Sequence, residues 1–422
     1  MKIIQYSDIN DNFFDSTYLT EDPSVRAIVS YVLENKDRAL VEYTLHYEGV
    51  QLQDMKVTSD EIKKASAEVD NNTIETLKKA KSNIEKFSKA QLDQFNNFEV
   101  EIVPGVLAGQ KVIPLARVGI YVPGGRFPLV STLLMCAVPA RVARVGEIAV
   151  CSPPSYKGTI HPAILAAADL VGINEIYKVG GAQAIAAMAY GTETIKRVDK
   201  IIGPGSKYVT LAKKEVFGTV GIDFIAGPSE IMIIADDTAN PRVLTADILA
   251  QAEHDTNATC ILITDSPSVA EKVNEEVEVQ LKELKNEVVA RQSLNMNGMI
   301  IITNTIDEAV DLANRRAPEH LELQIKNPDD YVERFKNYGS LFIGEYSAEA
   351  LGDYSSGLNH TLPTNGGARY TGGLSVKDFL KLQTTLRVTK QGLREIGPIA
   401  KAFGEIEGLN GHAKSISIRL DR

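Results

Sequence analysis

The sequence predicts an α/β protein built from two Rossmann-like parallel-sheet units, with an N-terminal helical segment and a C-terminal helical arm. Three observations carry that prediction. From about residue 115, short apolar runs alternate with Ala- and Leu-rich stretches of helical length, the rhythm of a parallel sheet covered on both faces. The first hundred residues show helical spacing instead. Beyond about residue 365 a Gly-rich linker, with Gly366-Gly367 and Gly372-Gly373, leads into further helical segments. At 422 residues the chain has room for roughly two to three compact domains.

Asp22-Pro23 reads as a helix start, because proline at the first helical position gives up an N–H that has no intrahelical partner. Val25, Ile28, Val29, Val32 and Leu33 follow at helical spacing, and a second helix carries Ile74, Leu77, Ile84 and Phe87 on one face. These segments make residues 1–114 a scaffold, expected to pack with the second α/β unit. The first unit, residues 115–228, has strands over 117–122, 147–151, 176–179 and 199–202, with helices over 162–170 and 182–190. The second unit, residues 229–364, has strands over 231–235, 260–264 and 299–302, and the break between units falls near residues 220–240. Residues 365–422 form the arm, with Leu409, Ala413, Ile416 and Leu420 as its last helical stripe.

Composition narrows the function. Lys and Arg number 45 against 55 Asp and Glu, a net charge of −10, which disfavours nucleic acid as a partner. No run of eighteen or more apolar residues suggests a membrane span, and the start Met1-Lys2-Ile3-Ile4-Gln5 lacks the apolar core of a signal peptide. Cys136, Cys151 and Cys260 are scattered in apolar stretches without a Cys-x-x-Cys pair, so buried reduced thiols are expected. Cytoplasmic small-molecule chemistry fits all three points.

In a parallel sheet the ligand site lies beyond the carboxyl ends of the strands. Four such handovers are glycine-rich: Pro123-Gly124-Gly125, Gly180-Gly181, Gly203-Pro204-Gly205 and Gly227-Pro228. Glycine admits close backbone approach, and a following helix start offers free N–H groups to a phosphate, so a nucleotide-like ligand is one reading and simple turn geometry the other. The spaced Gly-x-Gly-x-x-Gly fingerprint is absent.

The polar residues suggest chemistry in the second half. Gln251 continues the apolar stripe of a helix opened by Asn240-Pro241, and His254 stands three residues further, so both side chains can reach one point near the helix end. Glu319-His320 precedes the alternating run 321–325 and supplies two proton-transfer groups, unless it is only an exposed charged turn. Gly352-Asp353 and Gly357-Leu358-Asn359-His360 form a polar loop, and Glu407 and His412 stand near the start of the last stripe. Two imidazoles, a carboxylate and an amide oxygen from Gln251, His254, Asp353 and His412 would suit zinc, although spacing alone does not bring them together. From the residues alone, a zinc hydrolase and a non-catalytic nucleotide-binding module remain alternatives.

At these motifs the chain resembles the histidinol dehydrogenase family, along nearly its whole length and most closely from about residue 105 to the end. The stretches that carry the resemblance are Gly119-Ile120-Tyr121-Val122-Pro123-Gly124-Gly125, Gly180-Gly181-Ala182-Gln183, Gly203-Pro204-Gly205, Ala226-Gly227-Pro228-Ser229-Glu230, Gln251-Ala252-Glu253-His254, Ala317-Pro318-Glu319-His320 and Gly352-Asp353-Tyr354. The resemblance implies oxidation of L-histidinol through L-histidinal to L-histidine with two NAD per turnover and one Zn2+ per subunit. It implies that Gln251, His254, Asp353 and His412 bind the zinc and that Ser229 and Glu407 help hold the substrate. Glu319 and His320 would be the acid–base pair, and Tyr121, Gln183 and Ser206 the NAD contacts. Ser206 departs from the family's usual Asn, and its shorter side chain makes a weaker or water-bridged contact. A homodimer in which the arm completes the partner's site is also implied. His360 falls in a family-like loop outside the core site.

Overall fold

Asp22 opens the first helix as its sequence predicts: its carboxylate accepts the Ser24 N–H at 3.1 Å, with Pro23 in the first turn. The structure, a computed structural model, describes residues 1–14, 21–124 and 128–422, so Gly125 of the first glycine-rich handover lies outside the described residues. The N-terminal part consists of β1 (Lys2–Gln5), α1 (Pro23–Glu48, kinked at Lys36), α2 (Ser59–Glu68), α3 (Asn71–Leu92), β2 (Phe98–Val103) and β3 (Val106–Pro114). The first α/β unit follows with β4 (Arg117–Tyr121), α4 (Val130–Val142), β5 (Glu147–Cys151), α5 (Pro162–Val171), β6 (Ile176–Tyr177), α6 (Gly181–Tyr190), β7 (Lys200–Ile202), α7 (Lys207–Val216) and β8 (Gly221–Ile222). Its five strands are all parallel, in the order β6-β5-β4-β7-β8.

The second unit contains β9 (Glu230–Ala235), α8 (Pro241–Ala252), β10 (Thr259–Thr264), α9 (Pro267–Gln280), α10 (Glu287–Asn297) and β11 (Gly298–Ile302). It continues through α11 (Ile306–Arg316), β12 (His320–Gln324), α12 (Asp329–Val332), β13 (Ser340–Ile343) and α13 (Glu349–Tyr354). Its six parallel strands run in the order β1-β11-β10-β9-β12-β13. The arm is β14 (Leu380–Val388), α14 (Lys390–Ile406) and α15 (Asn410–Leu420). The two parallel-sheet units therefore match the sequence expectation of fold class, and Cys136, Cys151 and Cys260 are buried free thiols.

Two expectations need correction. The first 114 residues are not all helical. Asn83 of α3 donates to the Ser355 carbonyl at 2.7 Å, but contact with the second unit is made mainly by the start of the segment. There β1 adds the edge strand beside β11, while Tyr6, Ile9, Phe13 and Phe14 pack against the same core. Helices α1, α2 and α3 instead cover α6, α5 and α4 of the first unit. The reason is visible in burial: Val25, Ile28, Val29 and Val32 of α1 share one core with α6, and Ile62, Ala65 and Ile84 share the other with α4 and α5. The tail is not wholly helical either, because β14 pairs antiparallel with β3 along its whole length, and β3 pairs with β2. A two-residue period placed Phe98, Val100, Leu382 and Leu386 on one face of this small sheet, and all four are exposed. Ile399, Phe403 and Ile406 of α14 are exposed as well. No helix among the described residues is long and apolar enough to cross a membrane.

Candidate active site

The second unit places its reactive groups at the amino ends of its strands. His320 is the first residue of β12 and Glu230 the first of β9. Alternation along β12 sends Leu321 and Leu323 into one core, while His320, Glu322 and Gln324 share the opposite face, toward α8 and α13. Glu319 and His320 form no exposed turn; both are buried.

The Glu319 carboxylate accepts the Glu230 N–H at 2.9 Å. Burial holds its pKa well above the ordinary carboxyl range, with Glu230, Asp353 and Glu349 adding to that shift and the Glu230 N–H opposing it. His320 Nδ1 lies 3.2 Å from the Glu230 carbonyl, and Nε2 lies 3.5 Å from Glu349 Oε1 and 3.9 Å from Asp353 Oδ1. Burial pushes the imidazole down to about 4, so it is neutral near pH 7. Nε2 has no hydrogen-bond partner.

Of the residues anticipated as metal ligands, Asp353 and His254 stand beside this pair, and Gln251 lies on α8 one turn before His254. Asn240 caps α8, whose buried stripe of Leu244 and Ile248 ends in Gln251, 1% exposed with an unpartnered Oε1. His254, just past the helix, holds Nδ1 2.9 Å from the Ala250 carbonyl and presents Nε2 3.9 Å from Asp353 Oδ2. Asp353 sits at the end of α13, its own carbonyl accepting from His360 Nδ1 at 3.1 Å, and the His360 ring reaches Thr132 of α4 at 3.4 Å. His320, Glu349 and Asp353 bring one ligand atom each within 4.8 Å of one another. An orphaned buried amide oxygen on the helix that leads to His254, with a carboxylate against that imidazole, is a donor set that fits a borderline cation such as zinc. Ser229 lies at the rim, its carbonyl accepting the Thr259 N–H at 3.0 Å.

Glu407 and His412 are elsewhere. Both are exposed on the arm, and among the described residues no hydrogen bond or ion pair joins either side chain to this pocket. Helix α15 packs chiefly on α14.

The anticipated cofactor contacts lie at the carboxyl edge of the first sheet. Tyr121, buried at the end of β4, accepts the Gly181 N–H on its hydroxyl at 3.0 Å, and Gln183 is buried on the first turn of α6. Gly203 has φ +118°, and a Cβ there would meet the Tyr121 carbonyl at 2.2 Å, so only glycine fits. Its N–H donates to Asp223 at 2.8 Å and its carbonyl accepts from Lys213 at 3.0 Å, a buried ion pair that pins the loop. Ser206 caps α7 with an exposed side chain that makes no capping bond.

Sequence reasoning missed a second layer of buried acids. Gln324 donates to Asp247 at 3.0 Å and to Glu322 at 2.9 Å, and Glu322 accepts the Glu349 N–H at 2.9 Å. Burial pushes Glu322 up to about 8 and Glu349 to about 9, and raises Asp247. Periodicity could have found them: Asp247 precedes Gln251 by one helical turn, Glu349 precedes Asp353 by one, and Glu322 shares the strand face of His320.

The known relatives of this chain share its length as well as its pattern. A profile of the histidinol dehydrogenase family matches residues 15–420. A histidinol dehydrogenase from Methanothermobacter thermautotrophicus is 48% identical over 396 residues, covering 94% of this chain and 92% of the relative. One from Lactiplantibacillus plantarum is also 48% identical, over 96% of this chain and 94% of the relative. The crystal structure of histidinol dehydrogenase from Elizabethkingia anophelis superposes with a TM-score of 0.94 at 40% identity, covering 100% of this chain and 98% of that one. With a family profile matched almost end to end, and a fold shared at that level, the chain belongs to the histidinol dehydrogenase family and is an oxidoreductase.

Proposed function

We propose that the chain carries out the four-electron oxidation of L-histidinol to L-histidine, through L-histidinal, in the cytoplasm as a step of histidine biosynthesis. The observation that carries this reading is the buried Glu319–His320 pair, whose imidazole turns an unpartnered Nε2 toward Asp353. Per turnover one alcohol, one water and two NAD+ give one carboxylate, two NADH and three protons. Tyr121, Gln183 and Ser206 would hold NAD, which would supply hydride acceptance when bound. Gln251, His254, Asp353 and His412 of the partner subunit would hold zinc, which would supply a Lewis-acid anchor for the substrate's nitrogens.

The chain's own residues move the protons. Neutral His320 accepts the hydroxyl proton at Nε2 as the hydride leaves the same carbon, forming the aldehyde. Water must then add to the aldehyde, and Glu319, with a raised pKa, is a strong base once ionised. His320 takes the hydroxyl proton of the resulting hydrate as the second hydride leaves. Ser229, together with Glu407 of the partner subunit, holds the polar substrate. A zinc hydrolase would use the same metal, Glu and His, but would leave the pinned Gly203 loop and buried Tyr121 of the first unit without a task.

Mixing the protein with NAD and histidinol should produce NADH absorbance, two equivalents per substrate consumed. Single-turnover assays on histidinol and histidinal separate the roles. His320→Asn should injure both hydride steps, whereas Glu319→Gln should injure the aldehyde step more than the alcohol step. Identical losses for both variants in both steps would refute this division.

A further inference from the structure

The backbone of one residue holds both members of the acid–base pair. The N–H of Glu230 donates to Glu319 Oε2 at 2.9 Å, and the carbonyl of the same residue lies 3.2 Å from His320 Nδ1. A carbonyl only accepts, so the proton of neutral His320 must sit on Nδ1. The lone pair is then on Nε2, the nitrogen that faces Glu349 and Asp353. Had the proton been on Nε2, the Nδ1 lone pair would face the carbonyl oxygen with no hydrogen between them, and the basic nitrogen would point away from the pocket.

Glu230 begins β9, where the strand ladder no longer fixes the backbone on both sides. Its side chain does that instead. Oε2 pairs with Arg316 at 3.1 Å and Oε1 accepts the Asn365 N–H at 2.8 Å. The ion pair is buried, with side chains 5% and 14% exposed. Arg316 ends α11 and is itself anchored, donating to the Phe13 carbonyl at 2.6 Å.

We propose that Arg316 and the Glu230 side chain are positioning residues of the reaction, fixing the backbone of Glu230, whose carbonyl selects the Nδ1–H tautomer of His320 and whose N–H orients Glu319. The inference rests on the reading of Glu319 and His320 as the acid–base pair. A clamp of this kind acts on chemistry rather than on substrate affinity, since neither side chain reaches the anticipated ligands. Displacing a base by about 1 Å costs on the order of a hundredfold in rate.

The test uses the full-length zinc enzyme labelled with ¹⁵N-histidine, with His320→Asn identifying the resonance. Wild type should show His320 as the Nδ1–H tautomer. Arg316→Met should give a mixture of tautomers and a kcat lower by about a hundredfold, with KM for histidinol and bound zinc changed by less than about threefold. Arg316→Lys should recover most of the kcat, because it restores the charge opposite Glu230. Should Arg316→Met fail to fold, Glu230→Gln keeps the shape and the Asn365 contact, and it should shift tautomer and kcat in the same direction. An Nε2–H tautomer in wild type, or a folded clamp variant with unchanged tautomer and kcat, overturns the proposal. Full activity in His320→Asn would instead refute the acid–base reading itself, whatever the tautomer.

Discussion

The arm gives a prediction whose magnitude follows from counting. His412 and Glu407 are exposed and unconnected to the pocket of their own chain. They cannot swing there cheaply: β14 is laddered to β3 over nine residues, and just beyond it the Thr389 N–H donates to the Gly105 carbonyl at 2.8 Å. The packing there is tight, since a Cβ on Gly392 would meet the Gly105 carbonyl at 2.4 Å. The exposed apolar face of Phe98, Val100, Leu382 and Leu386, with Ile399, Phe403 and Ile406 of α14, is a surface of the kind that a second copy covers. Under the proposed two-fold dimer, each site joins one chain's body to the other chain's arm. His320→Asn damages the body and His412→Asn the arm, so each homodimer has two broken sites.

Equal amounts of the two variants, unfolded and refolded together, should give mixed dimers as about half the population. In each mixed dimer one site combines both lesions and the other combines neither. Activity should therefore return to about a quarter of wild type, and to about half in mixed dimers isolated by two affinity tags. The assay is NADH formation from histidinol, and size-exclusion light scattering counts the dimers. Purified mixed dimers without activity would put His412 to work in its own chain and refute the exchanged arm.

Two further outcomes follow from the site and the core. A chelator should abolish activity while leaving the far-UV circular dichroism intact, and zinc should restore turnover, because Gln251, His254 and Asp353 sit on elements already fixed by an α/β core; parallel loss of helical signal would make the metal structural. Burial favours a higher pKa for Glu175, but its hydrogen bonds from Arg117 and Tyr177 outweigh that and hold it below 4.5, so its contribution is present above that pH and lost as pH falls through the lowered value; Glu175→Gln should cost roughly 1–2 kcal/mol near pH 7 and nothing in strong acid, and a gap between the two urea midpoints that persists in acid would refute the assignment.

Much of this was legible in the sequence for a physical reason. A strand of a covered parallel sheet is apolar on both faces, so runs such as 147–151 and 260–264 stand out, and Asp22-Pro23 and Asn240-Pro241 marked helix starts that the structure confirms. What escaped was structure held by partners distant in sequence. Lys2–Gln5 has too few apolar residues to announce a strand and owes its place to β11, some three hundred residues away. The alternation in β2 and the length of β14 were hidden because their apolar faces are exposed in a single chain. The buried acids behind the site escaped for the opposite reason: a carboxyl in sequence reads as surface, and only the packing of β12 against α8 and α13 makes Asp247, Glu322 and Glu349 interior.

Under the proposed function, the rule that ligands gather at carboxyl ends of parallel strands holds for the first unit and fails for the second, and the exception explains how the site is put together. Glu230 and His320 begin their strands, and Gln251, His254 and Asp353 come from helix ends that return to that same amino edge. His360 ties that edge to the first turns of α4, which follow the carboxyl end of β4. Opposed edges of two sheets therefore face one another. A carboxyl edge offers glycine turns and helix N-termini, suited to an anionic cofactor. An amino edge offers helix C-termini, whose carbonyls orient imidazoles, as Ala250 does for His254, and whose dipoles suit a cation. Hydride transfer needs donor and acceptor carbons about 3–3.5 Å apart, and facing opposite sheet edges is a way to bring a cofactor and a cation to one substrate from rigid elements.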